Sequence, residues 1–118
     1  MLFSASDTVP VVRIEPRYQY VDEGTEAVFR CVADGNPAPR IEWYRGSNQE
    51  LNPRATVSND GILRIPNVRR DDESDYYCKA TNNVGTSEMR TLLYVTPGKG
   101  HNWYFSAVLR LWLSFFNL

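Results

Sequence analysis

The chain has 118 residues, a formal net charge of −1, a hydrophobic fraction of 42% and a charged fraction of 23%. That length has room for one domain, and the composition is that of a soluble globular protein rather than a disordered segment. The charge balance gives no electrostatic argument for nucleic acid or an anionic membrane as a partner, and the two cysteines and single histidine lack the spacing of a metal or redox site, so no metal and no cofactor is expected.

Residues 1–8 lack a basic stretch followed by an apolar run, so they read as an N-terminal extension and not a secretory signal. From Val9 the pattern turns to strand. Val11, Val12, Arg13 and Ile14 form the first run, bracketed by Pro10 and Pro16. Tyr18 to Val21 is a short edge segment, and Asp22-Glu23-Gly24 is a turn. The strand from Glu26 to Ala33 alternates, placing Ala27, Phe29, Cys31 and Ala33 on one face, until Asp34-Gly35-Asn36-Pro37 breaks it. Arg40 to Arg45 alternates again with Ile41 and Trp43 inward. Arg54 to Ser58 predicts a short strand with Ala55 and Val57 inward, and Asn59-Asp60-Gly61 is the strongest hairpin signal in the chain. Leu63 and Ile65 follow inward. Arg69 to Ser74 is a charged corner, after which Tyr76, Cys78 and Ala80 share a face. Asn82-Asn83-Val84-Gly85 predicts a second hairpin, and Met89, Thr91, Leu93 and Val95 alternate up to Pro97-Gly98. Seven or eight short strands with turns between them, and no amphipathic helix before residue 100, predict an antiparallel β-sandwich over residues 9–97.

Cys31, Trp43 and Cys78 read as a buried pin between two sheets. A Cys31–Cys78 cross-link would be worth about 4 kcal/mol by loop closure and implies an oxidising compartment. Two free buried cysteines in an intracellular domain are the alternative, and counting thiols separates the two.

These residues together resemble an immunoglobulin domain of the intermediate (I-set) type. The resemblance rests on Glu23-Gly24, Cys31, Gly35-Asn36-Pro37-Ala38-Pro39, Ile41-Glu42-Trp43, Asp60 to Ile65, Asp72, Tyr76-Tyr77-Cys78, Ala80-Thr81-Asn82 and Gly85, in that order. It implies an all-β, immunoglobulin-like sandwich of two antiparallel sheets with one inter-sheet disulfide. It also implies that Trp43 and Leu63 pack in the core around the disulfide and that Tyr76 forms a tyrosine corner. Asp72 is expected to pair with Arg54. Ser74 stands where the family usually has Gly or Ala. Within the family, Arg40 to Arg45 and Gly61 to Val68 look most like the immunoglobulin repeats of the basement-membrane heparan sulfate proteoglycan perlecan; hemicentin, papilin, peroxidasin and adhesion receptors carry similar repeats.

Asp71-Asp72 and Glu73 with Asp75 form acidic pairs, but a solvated corner is not the pocket that acid–base catalysis needs. No phosphate loop or nucleophile elbow occurs, so no enzyme activity is expected. Arg64, Arg69 and Arg70, with Arg40 and Arg45, suggest a sulfated-glycan patch, which the surrounding acidic residues disfavour. Tyr18, Tyr20, Tyr44, Tyr77 and Tyr94 fall at outward or edge positions, and with Asn82 and Asn83 at the hairpin tip they form the candidate interaction surface. No Asn-x-Ser/Thr acceptor occurs.

Residues 98–118 are strongly apolar and aromatic and lie outside the expected domain. A spanning helix needs about 20 apolar residues, and this run is interrupted by Arg110. A non-native end is favoured over an interfacial helix or an anchor, so a membrane partner is expected only if the segment is a genuine anchor. The resemblance implies a secreted, extracellular matrix module that contacts matrix or cell-surface proteins and neighbouring repeats. A domain of an adhesion or signalling receptor, or an accessory domain of a matrix peroxidase, is the alternative. With no signal peptide, an extracellular domain is expected to be a piece of a longer chain.

Overall fold

The structure, a computed structural model, describes residues 6–98. The expectations for the start of the N-terminal extension and for the apolar segment after Gly98 lie outside the described residues. Eight strands form: β1 (Thr8–Glu15), β2 (Tyr18–Asp22), β3 (Ala27–Asn36), β4 (Arg40–Arg45), β5 (Thr56–Val57), β6 (Ile62–Ile65), β7 (Ser74–Thr81) and β8 (Thr86–Thr96). A single 3-10 turn, Arg70–Asp72, precedes β7. They pack as two four-stranded sheets in the orders β1-β3-β6-β5 and β2-β8-β7-β4.

The alternation in β3 and β7 produces the sandwich directly. Ala27, Phe29 and Cys31 on β3 and Tyr76, Cys78 and Ala80 on β7 are all buried, each set on one face of its sheet. Burying these two faces against each other with Ile14, Leu63, Ile65, Val68, Leu93 and Trp43 builds the core. The Cys31–Cys78 disulfide crosses it with a Cα–Cα distance of 6.4 Å. Trp43 is the cross-strand partner of Cys78, so the indole lies beside the bridge.

Five details depart from the sequence expectation. β2 pairs with β8 in parallel, so the second sheet is mixed and not wholly antiparallel. The chain changes sheet after Glu15: β1 runs antiparallel to β3, then the backbone crosses at Pro16-Arg17 and joins β8. Pro10 lies inside β1 and not at its edge, where a register shift between Thr8 and Val11 removes the need for its missing N–H. β3 continues through Asn36, whose N–H donates to Thr8 Oγ1 at 3.0 Å and replaces the expected break with a pairing. Val57 is 42% exposed although it shares the core-side face of its partner Leu63, because β5 is a two-residue strand at the edge of its sheet with no strand beyond it to cover the side chain.

Gly61 ties the β5–β6 hairpin to the pin. Its φ of +83° is one that L side chains rarely adopt, and an added Cβ would stand 2.6 Å from the Cys31 carbonyl oxygen. Its own carbonyl accepts the Trp43 indole N–H at 3.0 Å and the Cys31 N–H at 3.0 Å. Gly61→Ala is expected to cost about 2–3 kcal/mol, from the backbone penalty plus a displaced hydrogen bond. Gly24→Ala, also at positive φ but with nothing within 4 Å, is expected to cost only about 1 kcal/mol. Equal losses in urea denaturation of the two variants would show that the close approach at Gly61 has no energetic role.

Candidate functional site

Two places carry most of the polar chemistry: the corner before β7 and the outer face of the β2-β8-β7-β4 sheet. At the corner the Asp72 side chain is fully buried and the Arg54 side chain is 22% exposed. Asp72 Oδ2 accepts from Arg54 Nη2 at 2.7 Å and from the Arg69 N–H at 2.8 Å, while Oδ1 accepts from Asn52 Nδ2 at 3.4 Å. The remaining Arg54 donors reach the Pro66 and Asn67 carbonyls. The corner therefore consumes its charges internally. A carboxylate committed to an arginine and a backbone N–H, with no access to solvent, is built to hold a turn and not to shuttle protons.

Tyr76 closes the same corner. Its hydroxyl donates to the Asp72 carbonyl at 2.6 Å from a position 1% exposed. Burial pushes this hydroxyl up to about 12, against the opposing charge of Arg45. The folded state then holds the proton more tightly than the unfolded chain, whose tyrosines titrate near 10. The resulting stability is intact below pH 10 and is lost as pH rises towards 12, a fall of up to about 3 kcal/mol. In urea denaturation at a series of alkaline pH values, Tyr76→Phe is expected to flatten that fall. An unchanged slope in the variant would assign the alkaline loss to other groups.

The outer sheet face presents Tyr44 from β4, Tyr77 from β7, Tyr94 from β8 and Tyr18 and Tyr20 from β2. Tyr18 and Tyr20 are 59% and 67% exposed. Tyr20 stacks on Tyr94 with centroids 4.7 Å apart, and Tyr18 meets Tyr20 edge-on at 6.3 Å. Tyr44 and Tyr77 are cross-strand partners. The Tyr44 hydroxyl donates to the Glu42 carboxylate, which pushes the Tyr44 hydroxyl up and lowers Glu42, and the Lys79 ammonium lies 5.9 Å from the Tyr44 ring centroid.

The arginine patch that the acidic neighbours disfavour does not assemble. Arg64 stands on β6 in the other sheet and pairs with Glu26 at 3.1 Å; Arg40 pairs with Glu42 at 2.9 Å; Arg70 lies 3.8 Å from Glu23; Arg45 donates to the Asp71 carbonyl. Arg69 contributes its backbone N–H to Asp72. Arg64 stands on one sheet, Arg40 and Arg45 on the other, and Arg69 and Arg70 at the corner outside any strand, and carboxylates pair with Arg40, Arg64 and Arg70.

Asn82 is placed at the β7–β8 turn, as expected, but its amide points into the fold. Its Oδ1 accepts the Val84 and Gly85 N–H groups, and its Nδ2 donates to the Thr8 carbonyl at 2.8 Å and the Pro37 carbonyl at 3.0 Å. It joins three segments and has little left to offer a partner. Asn83 remains exposed at the tip.

A third feature was not visible in the pattern of outward tyrosines. Thr91 is one of two buried polar residues among the described residues, and its Oγ1 lies 2.7 Å from the Arg17 carbonyl and 3.2 Å from that of Pro16. It fixes the crossover that carries Arg17. A polar residue within an otherwise apolar inward row is the sequence signal that would have pointed there, because buried hydroxyls need partners.

Comparison with known proteins places these features in a family. A family model described as "Immunoglobulin domain" matches residues 9–82. The mouse basement membrane-specific heparan sulfate proteoglycan core protein is 39% identical over 97 residues, covering 82% of this chain and 3% of that protein. The human peroxidasin homolog is 34% identical over 96 residues, covering 80% of this chain and 6% of that protein. The N-terminal two-domain Ig module of the Drosophila receptor protein tyrosine phosphatase DLAR superposes with a TM-score of 0.66 at 34% identity, over 75% of this chain and 46% of that one. The chain thus spans only a small part of its curated relatives.

Proposed function

The chain belongs to the immunoglobulin domain family, and from that premise we propose that it is a non-catalytic, extracellular module of a basement-membrane or matrix proteoglycan. It spaces neighbouring repeats and offers a face to other matrix or cell-surface proteins. The observation that carries this reading is the likeness to the mouse proteoglycan core protein over most of the chain. The disulfide supports the extracellular setting, since such bridges persist where the surroundings are oxidising. The charged corner supports the non-catalytic reading, because its buried carboxylate and arginine hold each other and the backbone. The exposed tyrosines supply the residue type that carries contacts between proteins.

The likeness to the DLAR module favours a second reading, a domain of a cell-surface receptor. The coding sequence on either side of this chain tests both. Further immunoglobulin repeats with laminin-like modules are the expected result. A transmembrane span beside this domain would overturn the matrix reading in favour of a receptor, and a haem-binding catalytic domain would overturn it in favour of a matrix peroxidase.

A further inference from the structure

A shallow cleft of about 380 Å³ opens on the outer face of the β2-β8-β7-β4 sheet, lined by Arg17, Tyr18, Arg90 and Leu92. We propose that it binds the carboxylate side chain of an acidic peptide segment on a partner protein, with the adjoining Tyr20–Tyr94 stack receiving an apolar residue of the same segment. The inference rests on the protein-contact reading above and names the surface and the chemistry of the partner.

Charge carries the first step. Arg17 makes no ion pair among the described residues. Among the described residues the carboxylate paired with Arg90 is Asp75, whose Oδ2 is 3.6 Å from Nη1, too far for a hydrogen bond. Of the two guanidiniums, Arg90 has one distant carboxylate and Arg17 has none among the described residues. Elsewhere Arg40, Arg54 and Arg64 sit 2.7 to 3.1 Å from their own acidic partners, while Arg13 and Arg70 stand 3.7 and 3.8 Å from theirs and, unlike Arg90, line no cleft with a second arginine among the described residues. A guanidinium with open donors recognises a carboxylate bidentately.

Shape and rigidity carry the second. Tyr18 walls the cleft and Leu92 contributes its apolar surface, so a bare ion leaves most of it uncovered, whereas a side chain with a methylene stem fills it. Buried Thr91, between Arg90 and Leu92, hydrogen-bonds at the crossover carbonyls of Pro16 and Arg17. The same three-residue stretch thus builds one side of the cleft and fixes the backbone of the other. A fixed backbone under both arginines leaves only their side chains to be ordered on binding. Tyrosines next to them add contact area at low entropic cost. Two cations suit a single carboxylate and are too few for a sulfated polysaccharide, which needs a longer cationic track.

The test is an NMR titration of the full chain, labelled with ¹⁵N, against a short capped peptide of alternating Glu and Tyr. Saturable shifts are expected at Arg17, Tyr18, Arg90 and Leu92. The counterpart peptide with Gln for Glu is expected to bind roughly tenfold more weakly or less, as is the Glu peptide to an Arg17→Gln/Arg90→Gln variant. An Arg13→Gln/Arg64→Gln variant, altered on the other sheet, is expected to bind like the parent. The proposal is overturned if no saturable shift appears, if the Gln peptide binds equally, if both double variants lose binding alike, or if a heparin-derived octasaccharide moves these signals while the Glu peptide does not. Each of those results leaves the flanking-sequence test of the matrix reading untouched, so the two can fail separately.

Discussion

Asp72→Ala is expected to destabilise the domain by about 3–5 kcal/mol, because it leaves the Arg54 guanidinium without its anion and the Arg69 N–H without its acceptor. For a domain of this size that lowers Tm by roughly 20 °C. The cause is not the strength of the ion pair alone. Desolvating a carboxylate and an arginine offsets much of their attraction, so the pair's net worth is modest, and the penalty comes from orphaning one partner. That distinction is measurable in a double-mutant cycle by urea denaturation. Arg54→Ala alone is also expected to be severe, since it strands a carboxylate with no exposure to solvent. The double variant Arg54→Ala/Asp72→Ala is expected to lose clearly less than the sum of the two, with a coupling of about 1.5 kcal/mol or more. Additivity within about 0.5 kcal/mol would show that the two residues act independently.

The second large effect is expected at the bridge. A Cys31→Ala/Cys78→Ala variant frees a loop with a sequence separation of 47 in the unfolded chain. Loop-closure entropy then gives a loss of about 4 kcal/mol. Both cysteines are fully buried beside Trp43, so truncated side chains also leave the indole with fewer neighbours. A domain with a total stability of about 5–15 kcal/mol is brought close to its folding threshold by such a loss. The Trp43 indole still donates to the Gly61 carbonyl in the variant, so the expected product is a weakened sandwich and not a different fold. A loss below about 1 kcal/mol would mean that the sheets are held by packing alone.

The strands with a buried face were legible because period-2 alternation is written directly into them: Ala27, Phe29 and Cys31 on β3, and Tyr76, Cys78 and Ala80 on β7. The edges were less so. β2 pairs in parallel with β8, and nothing in Tyr18 to Asp22 distinguishes a parallel from an antiparallel neighbour. Val57 lies on the face of buried Leu63 and is still exposed, because burial at a sheet edge is decided by what flanks the strand and not by propensity. Asn36-Pro37 reads as a breaker, yet β3 continues to Asn36, since a partner 28 residues earlier, Thr8, supplies the acceptor.

Backbone acceptors were also invisible. The Gly61 carbonyl that holds Trp43, and the Pro16 and Arg17 carbonyls within reach of Thr91, have no side-chain signature of their own. For the surface, alternation placed the tyrosines outward but did not say which arginines share their face. Arg64, Arg69 and Arg70 looked clustered in sequence and are dispersed in space, while Arg17 and Arg90 are 73 positions apart and line one cleft.

The covalent pin between Cys31 and Cys78 is tested most directly by secreting the chain from cells behind an added leader, unfolding it in guanidinium without reductant and titrating its thiols. No reactive thiol per chain is the predicted result. Two reactive thiols, the full cysteine content of the sequence, would contradict it.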